Sequence, residues 1–174
     1  MSATDRLAPD DIRIFSGSSN PQLAGAIAAY LGVPLDPIRS RRFTNDNLYV
    51  QLGASVRSRV VFIVQSFSPP VDFHILELLL MLDIARGSGA REVHAVIPYY
   101  SFARSDKKDA PRISITGRLM ARLMEAAGAT QVLTMTLHSP QVHGFFDVPT
   151  DALTARPVFK DYFRKQDLTG AIVV

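Results

Sequence analysis

The chain has 174 residues, 47% of them hydrophobic and 20% charged, with a formal net charge of +3. That length is enough for one domain with its own core, and no apolar run reaches the roughly eighteen residues a membrane-spanning helix needs. There is no cysteine, which excludes disulfides, thiolate catalysis and Cys-ligated zinc and fits a cytoplasmic protein. The first ten residues are polar and lack the apolar centre of a signal peptide. The basic excess suits anionic small molecules. No long Lys/Arg tract or aromatic-basic interleaving occurs, so neither nucleic acid nor membrane is an expected partner.

Residues 11–15 read as a first strand and Ser16-Gly17-Ser18-Ser19-Asn20 as a polar turn. Asn20 is a good N-cap, Pro21 a good first helical residue, and Leu23, Ile27, Ala28 and Leu31 mark one helical face that Gly32 and Pro34 close. A strand, a polar turn and a helix start can form an anion site; the same turn also reads as a plain connection. Residues 38–53 carry Arg39, Arg41 and Arg42, then Phe43-Thr44-Asn45-Asp46-Asn47, then the alternating Leu48-Tyr49-Val50-Gln51-Leu52. Extended arms around a turn-rich centre predict a β-hairpin, either packed on its own domain or reaching a neighbouring subunit.

Val60-Val61-Phe62-Ile63-Val64 predicts a buried strand. Residues 73–86 predict a buried helix ended by Gly87-Ser88-Gly89, and strands follow at 93–97 and 131–137 with a helix at 113–127 between them. A helix at 156–164 leads to an apolar run at 171–174 that reads as the opening of another strand. The alternation predicts a single α/β domain with a doubly wound, mostly parallel sheet. A chain stopping inside a strand is expected of a piece of a longer protein.

No P-loop, dinucleotide fingerprint, His-Glu-x-x-His or Gly-x-Ser-x-Gly is present. Two polar segments follow predicted strands. The first holds Arg104, Lys107, Lys108 and Arg112 beside Asp106 and Asp109, a balance suited to a phosphate-rich ligand, with a carboxylate left for a metal or a base. It also reads as a solvated loop whose charges pair with one another. The second runs from Thr136 to Pro149 and contains His138, placed where a histidine can hold a metal or bind phosphate, and His143, which has no assigned role. His74 and His94 lie among apolar residues and read as structural, and Phe145 and Phe146 as core. If the two predicted strands are neighbours, the segments flank one crevice beyond their carboxyl ends, the usual ligand position in such sheets.

Phe15-Ser16-Gly17-Ser18-Ser19, Ile63-Val64-Gln65-Ser66, Ala95-Val96-Ile97-Pro98-Tyr99, Phe102-Ala103-Arg104-Ser105-Asp106-Lys107-Lys108-Asp109 and Leu137-His138-Ser139-Pro140-Gln141-Val142-His143-Gly144-Phe145-Phe146-Asp147-Val148-Pro149 resemble the ribose-phosphate pyrophosphokinases, in order from about residue 12 to 174. The resemblance implies a phosphoribosyltransferase-like fold and transfer of a diphosphoryl group from ATP to ribose 5-phosphate, with magnesium as cofactor. It implies that residues 1–174 form the N-terminal, ATP-binding domain. The ribose 5-phosphate site and the catalytic residues would lie in a C-terminal domain outside this chain, and the whole enzyme would be a homohexamer built from dimers. It further implies ATP contacts from Arg104, Ser105, Lys107, Lys108 and Asp109, adenine contacts from Phe43, Asn45 and Asn47 of a neighbouring subunit, a magnesium ligand in His138, and an allosteric phosphate site at Ser55, Arg57 and Arg112. The chain departs from the family pattern at Asn47, where glutamate is usual; at Ser105, where glutamine is common; at Thr136, usually an acid; and at Gly89, where many members carry serine. A non-catalytic subunit that regulates the enzyme is the alternative these departures keep open, and a relative acting on another phosphosugar is a third.

Overall fold

The structure, a computed structural model, describes residues 7–172. Its centre is a six-stranded sheet of β1 (Ile12–Ser16), β2 (Leu35–Asp36), β5 (Val60–Val64), β6 (Glu92–Ile97), β7 (Gln131–Met135) and β8 (Thr150–Leu153), in the order β2-β1-β5-β6-β7-β8. Every pairing in it is parallel. The order reverses direction between β1 and β5, the switch point of a doubly wound sheet. β3 (Ile38–Arg42) and β4 (Leu48–Leu52) form a separate antiparallel hairpin.

Four helices connect and cover these strands: α1 (Pro21–Leu31), α2 (Val71–Gly87), α3 (Thr116–Ala126) and α4 (Arg156–Phe163). α1 begins as its sequence dictates, with the Asn20 side chain accepting from the Leu23 amide, and ends on Gly32 at φ 68°, a left-handed conformation that costs glycine nothing. On one side of the sheet Phe15, Val61, Ile63, Val93, Ala95 and Ile97 pack with Leu78, Met81 and Leu82 of α2 and Met120 and Met124 of α3. A smaller cluster joins Ile14 and Val64 to Ala24 and Ala28 of α1. The hairpin base belongs to the larger core through Ile38, Val50 and Leu52, while its tip from Arg41 to Asn47 is exposed. Thus the hairpin packs on its own domain and still presents a free end. Among the described residues no helix is long and apolar enough to cross a membrane.

Some expectations shift. The helix expected over 113–127 begins at Thr116, because Arg112 turns to φ 61° and Ile115 keeps a non-helical ψ of 83°, which leaves residues 113–115 outside it. The strand expected over 131–137 stops at Met135, where Thr136 takes φ 49°. β2 and β8 were not foreseen: one has two residues and the other is a short, mostly exposed edge strand. Ala171 and Ile172 lie in no strand, and Val173 and Val174 fall outside the described residues. α4 has no buried residue and leaves Val158, Phe159, Tyr162 and Phe163 exposed.

Candidate functional site

The carboxyl ends of β1, β5, β6 and β7 open on one edge of the sheet, and a polar loop follows each. At the switch point the residues after β1 and β5 are already engaged with each other. The buried Glu77 carboxylate of α2 accepts from the Ser18 amide (2.8 Å), the Ser18 hydroxyl (2.7 Å) and the Gln65 amide nitrogen (2.7 Å). Gln65 also donates to the His74 carbonyl (3.1 Å), and its carbonyl oxygen accepts from the Ser19 amide (3.1 Å). This orientation satisfies every atom of the Gln65 amide. Gly17 is required for close approach, since a Cβ there would lie 2.3–2.6 Å from the Gln65 amide atoms. Burial raises the pKa of Glu77, but hydrogen bonds to the carboxylate outweigh it and hold the group below its ordinary value. Ser40 of β3 stands against the same carboxylate with its hydroxyl buried, short of regular hydrogen-bond geometry.

β6 and β7 are neighbours in the sheet, so the two loops picked out in the sequence do face one crevice. After β6 the chain makes a 3-10 turn over Ser101–Arg104 and is tied to α3 at several points. The buried Tyr100 hydroxyl donates to the Gly117 carbonyl (2.7 Å), the Ser105 hydroxyl accepts from the Thr116 amide (3.0 Å), and the Gly117 amide donates to the Ser105 carbonyl (3.1 Å). Ser105 therefore supplies from a distance the cap that Ile115 lacks. Asp106 reaches the β7 loop, accepting from Gln141 and, with greater effect on its pKa, from Ser139; these bonds depress the pKa.

Arg104, Lys107, Lys108, Asp109 and Arg112 are exposed, and among the described residues none of them forms an ion pair. The reading of this loop as self-paired charge is not what the structure presents. Its cations are free to meet an external anion. Lys108 also lines a cleft of about 210 Å³ with Ser114, Arg118 and Arg122. Sequence reasoning passed over Arg118 and Arg122. Their signal was a basic i, i+4 pair on a helix whose other face, Met120, Ala121 and Met124, is buried.

His138 is exposed at the crevice, and Thr136 before it is a β-branched residue in the left-handed region, an uncommon strain next to a candidate ligand. The Thr136 hydroxyl accepts from the Ala155 amide (3.1 Å). No cluster of three or more His, Cys, Asp or Glu side chains exists among the described residues. Magnesium prefers oxygen ligands and a six-coordinate shell, often completed by substrate phosphates and water. His138 alone would not retain the bare ion, but it fits as one ligand to a cation that arrives on a polyphosphate. His143 bonds the Thr150 carbonyl, the His74 ring meets the Ser68 carbonyl (2.7 Å) and His94 meets Glu92 (3.0 Å), so these three are engaged within the fold.

At the hairpin tip the Phe43 ring is 45% exposed and sits edge-on to Tyr49 (centroids 5.8 Å apart), with the Arg41 guanidinium over both rings at 5.1 and 5.3 Å. Asn45 accepts from the Asn47 amide (3.3 Å), and Arg42 pairs with Asp46 (2.6 Å), so the turn is held from within. Ser55 and Arg57 line a separate cleft of about 310 Å³ with Leu52, Ala54, Val56, Ile84 and Ser88; Arg112 is not part of its lining.

Residues 12–128 match the family model for the N-terminal domain of ribose phosphate pyrophosphokinase. The chain belongs to the ribose-phosphate pyrophosphokinase family. It is 60% identical over 152 residues to a ribose-phosphate pyrophosphokinase of Deinococcus radiodurans, covering 87% of this chain and 48% of that protein. It is 47% identical over 172 residues to one of Parasynechococcus marenigrum, covering 98% of this chain and 52% of the relative. The crystal structure of phosphoribosylpyrophosphate synthetase from Mycobacterium smegmatis superposes with a TM-score of 0.86 at 33% identity, over 90% of this chain and 52% of that one. The chain thus spans about half the length of the relatives it matches.

Proposed function

We propose that this chain is the ATP-binding, N-terminal half of a ribose-phosphate pyrophosphokinase, which transfers the diphosphoryl group of ATP to ribose 5-phosphate and releases AMP. The observation that carries the reading is the set of unpaired cations at Arg104, Lys107 and Lys108, in a loop joined through Asp106 to the loop of His138. Arg104, Lys107 and Lys108 take the polyphosphate, Asp109 a polar group of the nucleoside, and Ser105 holds the loop in shape. His138 is a ligand to magnesium carried by the nucleotide, and the ion supplies neutralisation of charge on the phosphate oxygens. Phe43, Asn45 and Asn47 receive the adenine of a neighbouring protomer in a homo-oligomer, Phe43 by stacking and the two amides by hydrogen bonds. The cleft at Ser55 and Arg57 takes a regulatory phosphate, and Arg112 reaches such a ligand only from another subunit. Ribose 5-phosphate binds to the other half of the enzyme, so this chain alone makes no product.

Calorimetric titration with magnesium-ATP tests the reading. The chain should bind, and Arg104→Ala should weaken binding by roughly tenfold or more, the loss of one charge-assisted contact of about 1.5–3 kcal/mol. No binding by the unaltered chain, or equal binding by the variant, refutes it. AMP formation that depends on ribose 5-phosphate would refute the inactivity of the isolated chain. Thr136, whose hydroxyl serves the Ala155 amide where the family usually has an acid, favours a second reading as a regulatory subunit. Magnesium-ATP affinity should then be lost, or turnover absent from the full-length protein.

A further inference from the structure

The turn after β1 has the form of an anion site: it leaves the end of a parallel strand, lies at the switch point and precedes a helix. An anion already fills it. Three donors, the Ser18 amide, the Ser18 hydroxyl and the Gln65 side chain, converge on the two oxygens of Glu77, as they would on a phosphate. Glu77 is 0% exposed, and no cation is recorded against it among the described residues. The titratable residue nearest to it in sequence on its own helix, His74, turns its ring to the Ser68 carbonyl. A buried carboxylate without a cation is expensive unless the surrounding dipoles are matched to it. Here the matching dipoles belong to a turn built for an anion.

We propose that Glu77 is a built-in anion that occupies the pocket at the switch point, excludes phosphate from it, and so leaves polyphosphate to the loops of Arg104 and His138. The second half of this statement rests on the ATP reading above; the first does not. Glu77 is a specificity-determining residue that touches no substrate. Glu77→Ala would vacate the pocket and remove the acceptor that the three donors share, whereas Glu77→Gln would fill it with a neutral amide.

The test is anion rescue. Thermal midpoints of the chain and both variants are followed against formate and inorganic phosphate at constant ionic strength, with chloride as the balancing anion. Formate should raise the Glu77→Ala midpoint in a saturable way and leave the unaltered chain and Glu77→Gln unmoved, and phosphate should raise the Glu77→Ala midpoint by more than it raises the other two. Phosphorus NMR should show about one extra equivalent of phosphate bound by Glu77→Ala. If that variant does not fold in chloride, the same titration is run as refolding, where recovery with formate supports the proposal and its absence overturns it. Equal shifts in all three proteins also overturn it, because a merely structural glutamate gives no anion-specific rescue. Rescue without ATP binding by the unaltered chain would keep the pocket assignment and remove only the assignment of polyphosphate to the two loops. ATP binding without rescue would refute the pocket assignment and leave the ATP reading standing.

Discussion

Gly17→Ala is expected to lower stability by about 3 kcal/mol, through the side chain of Gln65, just past the end of β5. The new Cβ would fall 2.3 Å from the Gln65 carbonyl oxygen, 2.4 Å from its carbon and 2.6 Å from its nitrogen, so the amide has to leave. With it go the bonds to the Ser19 amide, the His74 carbonyl and the Glu77 carboxylate. The two neutral bonds are worth about 1 kcal/mol each and the one to the carboxylate about 2 kcal/mol, since the partners stay buried. Alanine returns about 0.4–1 kcal/mol by restricting the unfolded chain. Urea denaturation measures the net change as a shift of midpoint at constant slope. Gln65→Ala removes the obstacle, so adding Gly17→Ala to it should leave only the gain of about 0.4–1 kcal/mol, and the double-mutant cycle should return a coupling of about 4 kcal/mol. A Gly17→Ala change within about 1 kcal/mol of the unaltered chain, or costs that simply add, would refute the reasoning.

Three further outcomes follow from buried groups. Glu77 titrates below its ordinary value in the fold, so its stabilisation is present above its unfolded value near 4.5 and is lost as pH falls through the folded one; urea midpoints measured from neutral to acid pH should drop in that window, and less steeply in Glu77→Gln. Tyr100→Phe leaves the Gly117 carbonyl without its donor and should cost about 1–2 kcal/mol by urea denaturation, with the fold intact by circular dichroism. Met81→Ala, at a fully buried position of α2 in the core against the sheet, should cost about 2–5 kcal/mol by the same measurement.

What was legible in the sequence was local or periodic. The Asn20 cap, the hairpin and the strand at 60–64 each depend on neighbours within a few residues, and all three stand where the pattern put them. The facing loops were legible too, because strand alternation implies which carboxyl ends adjoin. The start of α3 was not, since its cap comes from Ser105, eleven residues before Thr116. Nor was β8, whose four residues, two polar and then two apolar, show no alternation that separates an edge strand from a loop. Glu77 was hidden for a different reason: one acid in an apolar helical run reads as its solvent stripe, and the partner that overturns this, Ser18, is 59 residues away.

That hidden residue changes how the sheet's geometry bears on function. The rule that ligands gather at the switch point singles out the gap between β1 and β5. In this chain the gap is spanned by Gln65 and Glu77, whose hydrogen bonds consume the amides of Ser18 and Ser19 that a ligand would need. One strand pair further along, the loops after β6 and β7 reverse the situation: the cations of the first are unpaired, and the contact between the two runs through Asp106 at the rim. Topology offers both crevices, and electrostatic occupancy separates them. A carboxylate held by its own fold closes the first to anions, while the second keeps the uncompensated positive charge that a polyphosphate requires.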